Sequence, residues 1–175
     1  MNAPRPRRRA VLRWLPAGPA LAGAPMLAGL LPAPALAAGP GERVAWPTVS
    51  TLDGRRIGPA EVADRACVVV FFTTTCPFCR RHNRHLQRLH AEAPPGLQVL
   101  GVARETDAGQ VRRHAAREGY GFPITLDAEP LAAVLSRRRL VPLTVTIARD
   151  GRLLQVIPGE MSEDDVLSLA RLATA

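Results

Sequence analysis

Residues Cys67 to Thr73 read Cys-Val-Val-Val-Phe-Phe-Thr, an unbroken apolar, β-branched and aromatic run. A run of that length and composition marks a strand buried on both faces, which requires a sheet covered by helices on each side. After two more threonines comes Cys76-Pro77-Phe78-Cys79. A helical pattern then continues to about Ala93 and stops at Pro94-Pro95-Gly96. Two cysteines are thus set where a buried strand turns into a helix.

The rest of the chain builds around that junction. Residues 44–58 predict a small hairpin: Trp46, Val49, Leu52 and Ile57 are apolar, and Asp53-Gly54 is a turn pair. Leu97 to Ala103 is a second buried strand. A helix follows from about Asp107, as cap, to Glu118, with Gly119 as its stop. Pro123 to Leu126 is a short extended piece, and Glu129 to Ser136 a short helix. Leu143 to Ala148 and Leu153 to Ile157 are strands joined through Asp150-Gly151. Ser162 caps a closing helix that runs to Leu172, with Asp164 and Asp165 at its positive end. This order predicts an α/β domain. Its mixed central sheet is flanked by helices, preceded by the hairpin and interrupted by a strand–helix insertion.

The location of the cysteine pair supplies its chemistry. Cys76 falls near a helix N-terminus, where unpaired backbone N–H groups favour a thiolate, the attacking form of the residue. Two intervening residues let the sulfurs meet and close a disulfide. Pro77 suits the first helical turn, where its missing N–H costs nothing. The expected reaction is two-step exchange. Cys76 attacks a substrate disulfide, and Cys79 then attacks Cys76 and releases the reduced substrate. No cofactor is needed beyond the redox-active Cys76–Cys79 disulfide itself. The competing readings are a structural disulfide and a zinc site, since Cys76, Cys79, His82 and His85 form C-x2-C-x2-H-x2-H. Ligands spaced by three along one helix drift around its axis, and structural zinc sites normally draw on two segments. No metal is therefore expected.

Residues 1 to about 13 carry Arg5, Arg7, Arg8, Arg9 and Arg13, and no acid precedes Glu42. The Ala/Leu/Gly/Pro run that follows is interrupted by Pro16, Pro19, Pro25, Pro32 and Pro34, which argues against a membrane-spanning helix. Arg8-Arg9-Ala10-Val11-Leu12-Arg13 resembles a twin-arginine export motif, and Ala35-Leu36-Ala37 has the form of a cleavage site. Residues 1–37 are therefore read as an export signal that meets the export machinery, 38–43 as a Gly/Pro linker and 44–175 as the domain. The expected location is periplasmic or extracytoplasmic, with a membrane-tethered form if the signal stays attached. Setting those five arginines aside leaves 18 basic against 15 acidic residues, which does not argue for nucleic acid. Stacking aromatics interleaved with basic residues are missing as well. Every base is Arg, a compositional bias, and Arg137-Arg138-Arg139 reads as a solvated face.

With the motif set after a buried strand, the chain resembles the thioredoxin superfamily, and within it the TlpA/ResA branch of extracytoplasmic thiol–disulfide oxidoreductases. Four features carry the resemblance across residues 44–173. They are the hairpin with Leu52-Asp53-Gly54, the strand leading into Cys76-Pro77-Phe78-Cys79, the inserted Phe122-Pro123-Ile124-Thr125-Leu126-Asp127, and Val141-Pro142-Leu143-Thr144-Val145-Thr146-Ile147 followed by Asp150-Gly151-Arg152. The resemblance implies that Pro142 is a cis-proline facing the cysteines. It implies that Val141 offers its backbone to an extended substrate, and that Pro77 and Phe78 contact it. Partners implied are protein thiol and disulfide substrates and a membrane-bound electron donor. The implied work is reduction, in cytochrome c maturation or at metal-centre thiols. Departures are Thr75 where Trp is usual, Val70 where thioredoxins bury an Asp, and His82 where ResA-like members carry a Glu. His82 shares a helix face with Leu86 and Leu89, so it should point inward, either to handle protons and stabilise a thiolate or as a packed, satisfied histidine. His85, His90 and His114 are expected at the surface, and Cys67 as an inert buried residue.

Three other functions compete. A peroxiredoxin needs a Pro where Val69 stands. A Sco-like copper-binding module would hold Cu(I) on the cysteine pair. A disulfide-donating oxidase is suggested by Pro77-Phe78, which resembles the Cys-Pro-aromatic-Cys of oxidising proteins.

Overall fold

A computed structural model describes residues 37–174. The twin-arginine-like segment and most of the expected cleavage site lie outside the described residues. Among the described residues, no helix is long and apolar enough to cross a membrane.

The elements in chain order are β1 (Val49–Ser50), β2 (Arg56–Ile57), α1 (Pro59–Val62), β3 (Ala66–Phe72), α2 (Pro77–Ala91), β4 (Leu97–Ala103) and α3 (Ala108–Glu118). After these come β5 (Ile124–Thr125), α4 (Ala128–Leu135), β6 (Leu143–Ile147), β7 (Leu153–Pro158) and α5 (Glu163–Ser168). The main sheet has the order β5-β4-β3-β6-β7. β3, β4 and β5 are parallel, β6 runs antiparallel to β3, and β7 runs antiparallel to β6. This is the expected mixed α/β sheet with a thioredoxin-like arrangement.

β3 is the middle strand, and all seven of its residues are buried. Side chains alternate across a strand, so each face of β3 feeds a separate core. Ala66, Val68, Val70 and Phe72 meet Leu86 and Leu89 of α2, Val111 of α3 and Val166 of α5. Cys67, Val69 and Phe71 meet Leu131 and Leu135 of α4, together with Trp46 and Ile57 of the N-terminal hairpin. That hairpin rests on the insertion. Leu52 N–H donates to the Ile124 carbonyl at 2.7 Å, and Thr125 Oγ1 to the Ser50 carbonyl at 2.7 Å.

Local differences from the expected elements have local causes. α1 is one turn with Pro59 at its first position and the Glu61 carboxylate accepting Gly58 N–H at 2.7 Å. Four residues are too few to show helical periodicity. The closing helix is α-helical only over Glu163–Ser168 and tightens to a 3-10 turn over Leu169–Ala173, as helix ends commonly do. Residues 38–43, expected as a linker, lie along the domain. Ala38 N–H donates to the Val134 carbonyl, Gly41 N–H to that of Leu153, and Arg43 bridges to Arg152. His114 is buried rather than at the surface. It lies on the α3 face that carries Val111, against the rings of Phe72 and Tyr120.

Candidate active site

β3 ends at Phe72, and three threonines carry the chain out of the sheet to Cys76. Cys76 is the N-cap of α2, and Pro77 takes the first helical position. The Cys79 N–H donates to Cys76 Sγ at 3.1 Å, so the sulfur occupies the place that a Ser or Asp oxygen usually fills at a helix start. Negative charge on that sulfur meets the positive end of a fifteen-residue helix. Cys76 is half-buried, whereas Cys79 is 1% exposed. Burial first, and then the hydrogen bond with Cys76, push the Cys79 thiol up to about 12. All three cysteines are free thiols. Cys67 belongs to the opposite core, and burial pushes it too up to about 12.

Antiparallel pairing of β3 with β6 sets Phe71 opposite Leu143. The residues just before Leu143 therefore lie beside the segment that leaves β3. The Val141–Pro142 bond there is cis, and the Val141 carbonyl is 4.0 Å from Cys76 Sγ. Val141 is half-buried, Pro142 buried and Pro77 exposed. Phe78 is 54% exposed. The Arg81 guanidinium lies 5.0 Å from the centre of the Phe78 ring and holds Glu160 through two bonds of 2.8 and 2.7 Å.

His82 does point inward and is fully buried. Its Nδ1 accepts the Met161 N–H at 3.2 Å, which places the proton of the neutral ring on Nε2, 3.0 Å from Thr144 Oγ1. Burial, reinforced by the nearby His85, pulls it down to about 4. Both ring nitrogens are engaged by these partners and neither by a sulfur. The next residue, Asn83, is also fully buried, and neither atom of its amide has a hydrogen-bond partner among the described residues. Among the described residues no three His, Cys, Asp or Glu side chains gather as metal ligands. His85 instead stands 3.6 Å from Glu163.

One part of the site escaped sequence reasoning. Glu105 Oε1 accepts both the Thr74 N–H at 2.5 Å and the Thr74 hydroxyl at 2.8 Å. Gln110 Nε2 donates to the same hydroxyl at 2.8 Å. Glu105 and Gln110 thereby fix the loop that presents Cys76. A signal existed: β4 runs parallel to β3 with Phe72 opposite Ala103, so the residues two positions further on, Thr74 and Glu105, leave the sheet side by side.

Known proteins share this frame. A ResA thiol–disulfide oxidoreductase of Halalkalibacterium halodurans is 28% identical over 127 residues, which cover 72% of each chain. A second, from Geobacillus thermodenitrificans, is 24% identical over 119 residues, covering 67% of this chain and 68% of its own. A thioredoxin family thiol:disulfide interchange protein from Chlorobium tepidum superposes with a TM-score of 0.69 at 22% identity, covering 79% of this chain and 100% of that one. StoA from Bacillus subtilis does so with a TM-score of 0.62 at 18% identity, covering 74% and 98%. The Redoxin family model matches residues 40–172, from the segment docked before the hairpin to the last 3-10 turn. With that span matched and two cysteines at the head of α2, the chain belongs to the Redoxin family, as a TlpA/ResA-like thiol–disulfide oxidoreductase of the thioredoxin superfamily.

Proposed function

We propose that Cys76 is the attacking cysteine and Cys79 the resolving one in disulfide exchange with protein substrates outside the cytoplasm. The observation that carries this is the Cys79 N–H at 3.1 Å from Cys76 Sγ, which offers a hydrogen bond and a helix N-terminus to a thiolate at that atom. In the first step the Cys76 thiolate attacks a substrate disulfide. A bond forms between Cys76 and one substrate sulfur, and the other substrate sulfur leaves as thiolate. In the second step Cys79 gives up its proton and attacks Cys76 Sγ, expelling the second substrate thiolate. The substrate disulfide gains two electrons, and the Cys76–Cys79 dithiol becomes a disulfide. Pro142 closes the cleft beside the sulfur, and the half-buried Val141 offers its main chain to an extended substrate segment. Pro77 and the exposed Phe78 border the same cleft. His82 acts through position, holding α2 against Thr144 and the Met161 loop.

The direction we favour is reduction, of apocytochrome c or of metal-centre thiols, with electrons from a membrane-bound donor. The ResA relatives and the export-like N-terminal segment support it. Pro77-Phe78 favours a second reading, donation of disulfides. The reduction potential of the Cys76–Cys79 couple, measured against glutathione, separates the two. A value near the thioredoxin end, about −270 mV, supports the reductase, and one near the oxidising end, about −120 mV, the oxidase. If alkylation trapping finds the two thiols unable to cycle between joined and free forms, both readings fail.

A further inference from the structure

Arg104 follows the last residue of β4 and lays its guanidinium over the Phe71 ring, 4.9 Å from the ring centre. Its Nη2 donates to the Arg138 carbonyl at 2.9 Å. Its buried Nε has no partner among the described residues. Burial works against its charge and draws its pKa below the ordinary arginine value. Arg104, Arg137 and Arg139 line one pocket of about 350 Å3 together with Glu129, Ala132 and Ala133. Three guanidiniums therefore share a single carboxylate. Glu129 is 73% exposed and stands 3.7 Å from Arg139, an ion pair open to solvent that leaves most of the positive charge uncompensated. The exposed guanidiniums of Arg137 and Arg139, on the same pocket as Arg104, are what an incoming anion would meet.

The pocket is close to the reacting sulfur. The segment reads Arg137-Arg138-Arg139-Leu140-Val141-Pro142, and the Val141 carbonyl lies 4.0 Å from Cys76 Sγ. Two residues of chain, at most about 7 Å, separate Arg139 from Val141. We propose that this pocket seats a carboxylate side chain of the protein substrate, an Asp or Glu on the polypeptide segment that lies along Val141. The proposal rests on the reading that Val141 carries the substrate main chain, and it names the substrate class: disulfide proteins with acidic residues a few positions from the attacked cysteine. The guanidinium fork matches a carboxylate in two parallel bonds. The wider arginine run draws acidic partners toward the cleft at low salt.

The test uses two disulfide-linked peptides identical except for Glu or Lys at the second to fourth positions from the cysteine. The reduced protein is expected to cleave the acidic peptide about tenfold faster in kcat/KM at low salt. That ratio should fall toward one in 1 M salt, and also in the Arg137→Gln, Arg139→Gln double variant, whose fold is checked by its circular dichroism melt. Equal rates for the two peptides, or a ratio unchanged in the double variant, overturn the proposal. Hydroxyethyl disulfide, which is small and uncharged, tests the redox reading separately. Should the protein fail on it, anisotropy of the same peptides with Ser in place of Cys still decides the pocket: tighter binding of the acidic peptide, lost in the double variant, upholds it, and equal binding overturns it.

Discussion

His82 Nε2 and Thr144 Oγ1, 3.0 Å apart, tie the helix that bears both cysteines to the strand that follows the Val141–Pro142 turn. The Met161 N–H completes the arrangement by donating to Nδ1 at 3.2 Å. Only the neutral ring fits there, because a proton on Nδ1 would face the Met161 N–H with another donor.

This pairing makes stability depend on pH. A histidine in the unfolded chain takes its proton near 6.5, whereas His82 in the fold stays neutral down to about 4. Between those values the unfolded chain binds a proton that the native one refuses, so the contribution is complete above pH 6.5 and is lost as pH falls toward 4. The loss is on the order of 3 kcal/mol at most. His90 and His114, also held below the ordinary histidine value chiefly by burial, act in the same direction. Urea midpoints between pH 7.5 and 4.5 are expected to fall steeply in the native sequence and less steeply in His82→Gln. Equal slopes would remove His82 from this role.

The burial difference within the cysteine pair predicts an order of labelling. With thiols pushed to about 12, Cys79 and Cys67 are scarcely ionised at pH 8, roughly one molecule in ten thousand. The half-buried Cys76 is the accessible one. Iodoacetamide on the reduced, folded protein is expected to add one equivalent, at Cys76, with the other two labelled only after denaturation. Peptide mass mapping checks this. Comparable labelling of Cys79 in the folded state would reverse the roles assigned to the two sulfurs.

Much of this arrangement is legible in the sequence, because it depends on local signals. The run from Cys67 needs no partner to announce a doubly buried strand, and Asp107 and Gly119 mark both ends of α3 where the structure has them. The cysteine motif reports its own place at a helix start. What stays hidden depends on register between distant segments. Thr74 and Glu105 are thirty-one residues apart and meet only through the pairing of β3 with β4. His114 looks like a surface residue until Val111, three positions earlier, is set against the sheet and the same helix face turns toward Phe72. Arg137 and Arg139 read as a solvated face because no local pattern shows that they share a pocket with Arg104.

The Glu105 anchor should matter to both stability and rate. Glu105→Ala removes two charge-assisted bonds from Thr74 and leaves its partly buried N–H without an acceptor. Loss of about 1.5–3 kcal/mol is expected in urea unfolding. Exchange with a disulfide peptide should slow by roughly tenfold as the loop before Cys76 loosens. Glu105→Gln keeps an oxygen in the same place and should recover most of both. A rate unchanged in Glu105→Ala would mean that α2 alone positions the sulfur.

Gly101 carries the most stringent packing demand in the sheet. A Cβ there would stand 2.8 Å from Phe122 Cε2 and 3.2 Å from both Ile124 Cγ1 and Phe72 Cε1. These atoms belong to buried side chains of one core, so none can swing into solvent. Gly101→Ala is therefore expected to destabilise the domain by about 1–3 kcal/mol. The strain has a definite address, the Phe122 ring edge, which makes the cost separable from a general weakening of β4. Adding Phe122→Leu removes that edge, and the double variant should be more stable than the sum of the two single changes requires. Additive urea-unfolding free energies would place the cost elsewhere, in the β4–β5 pairing where Gly101 N–H donates to the Pro123 carbonyl at 2.9 Å. The close approach of Phe122 to the Gly101 backbone would then be incidental to how the insertion is held on the sheet.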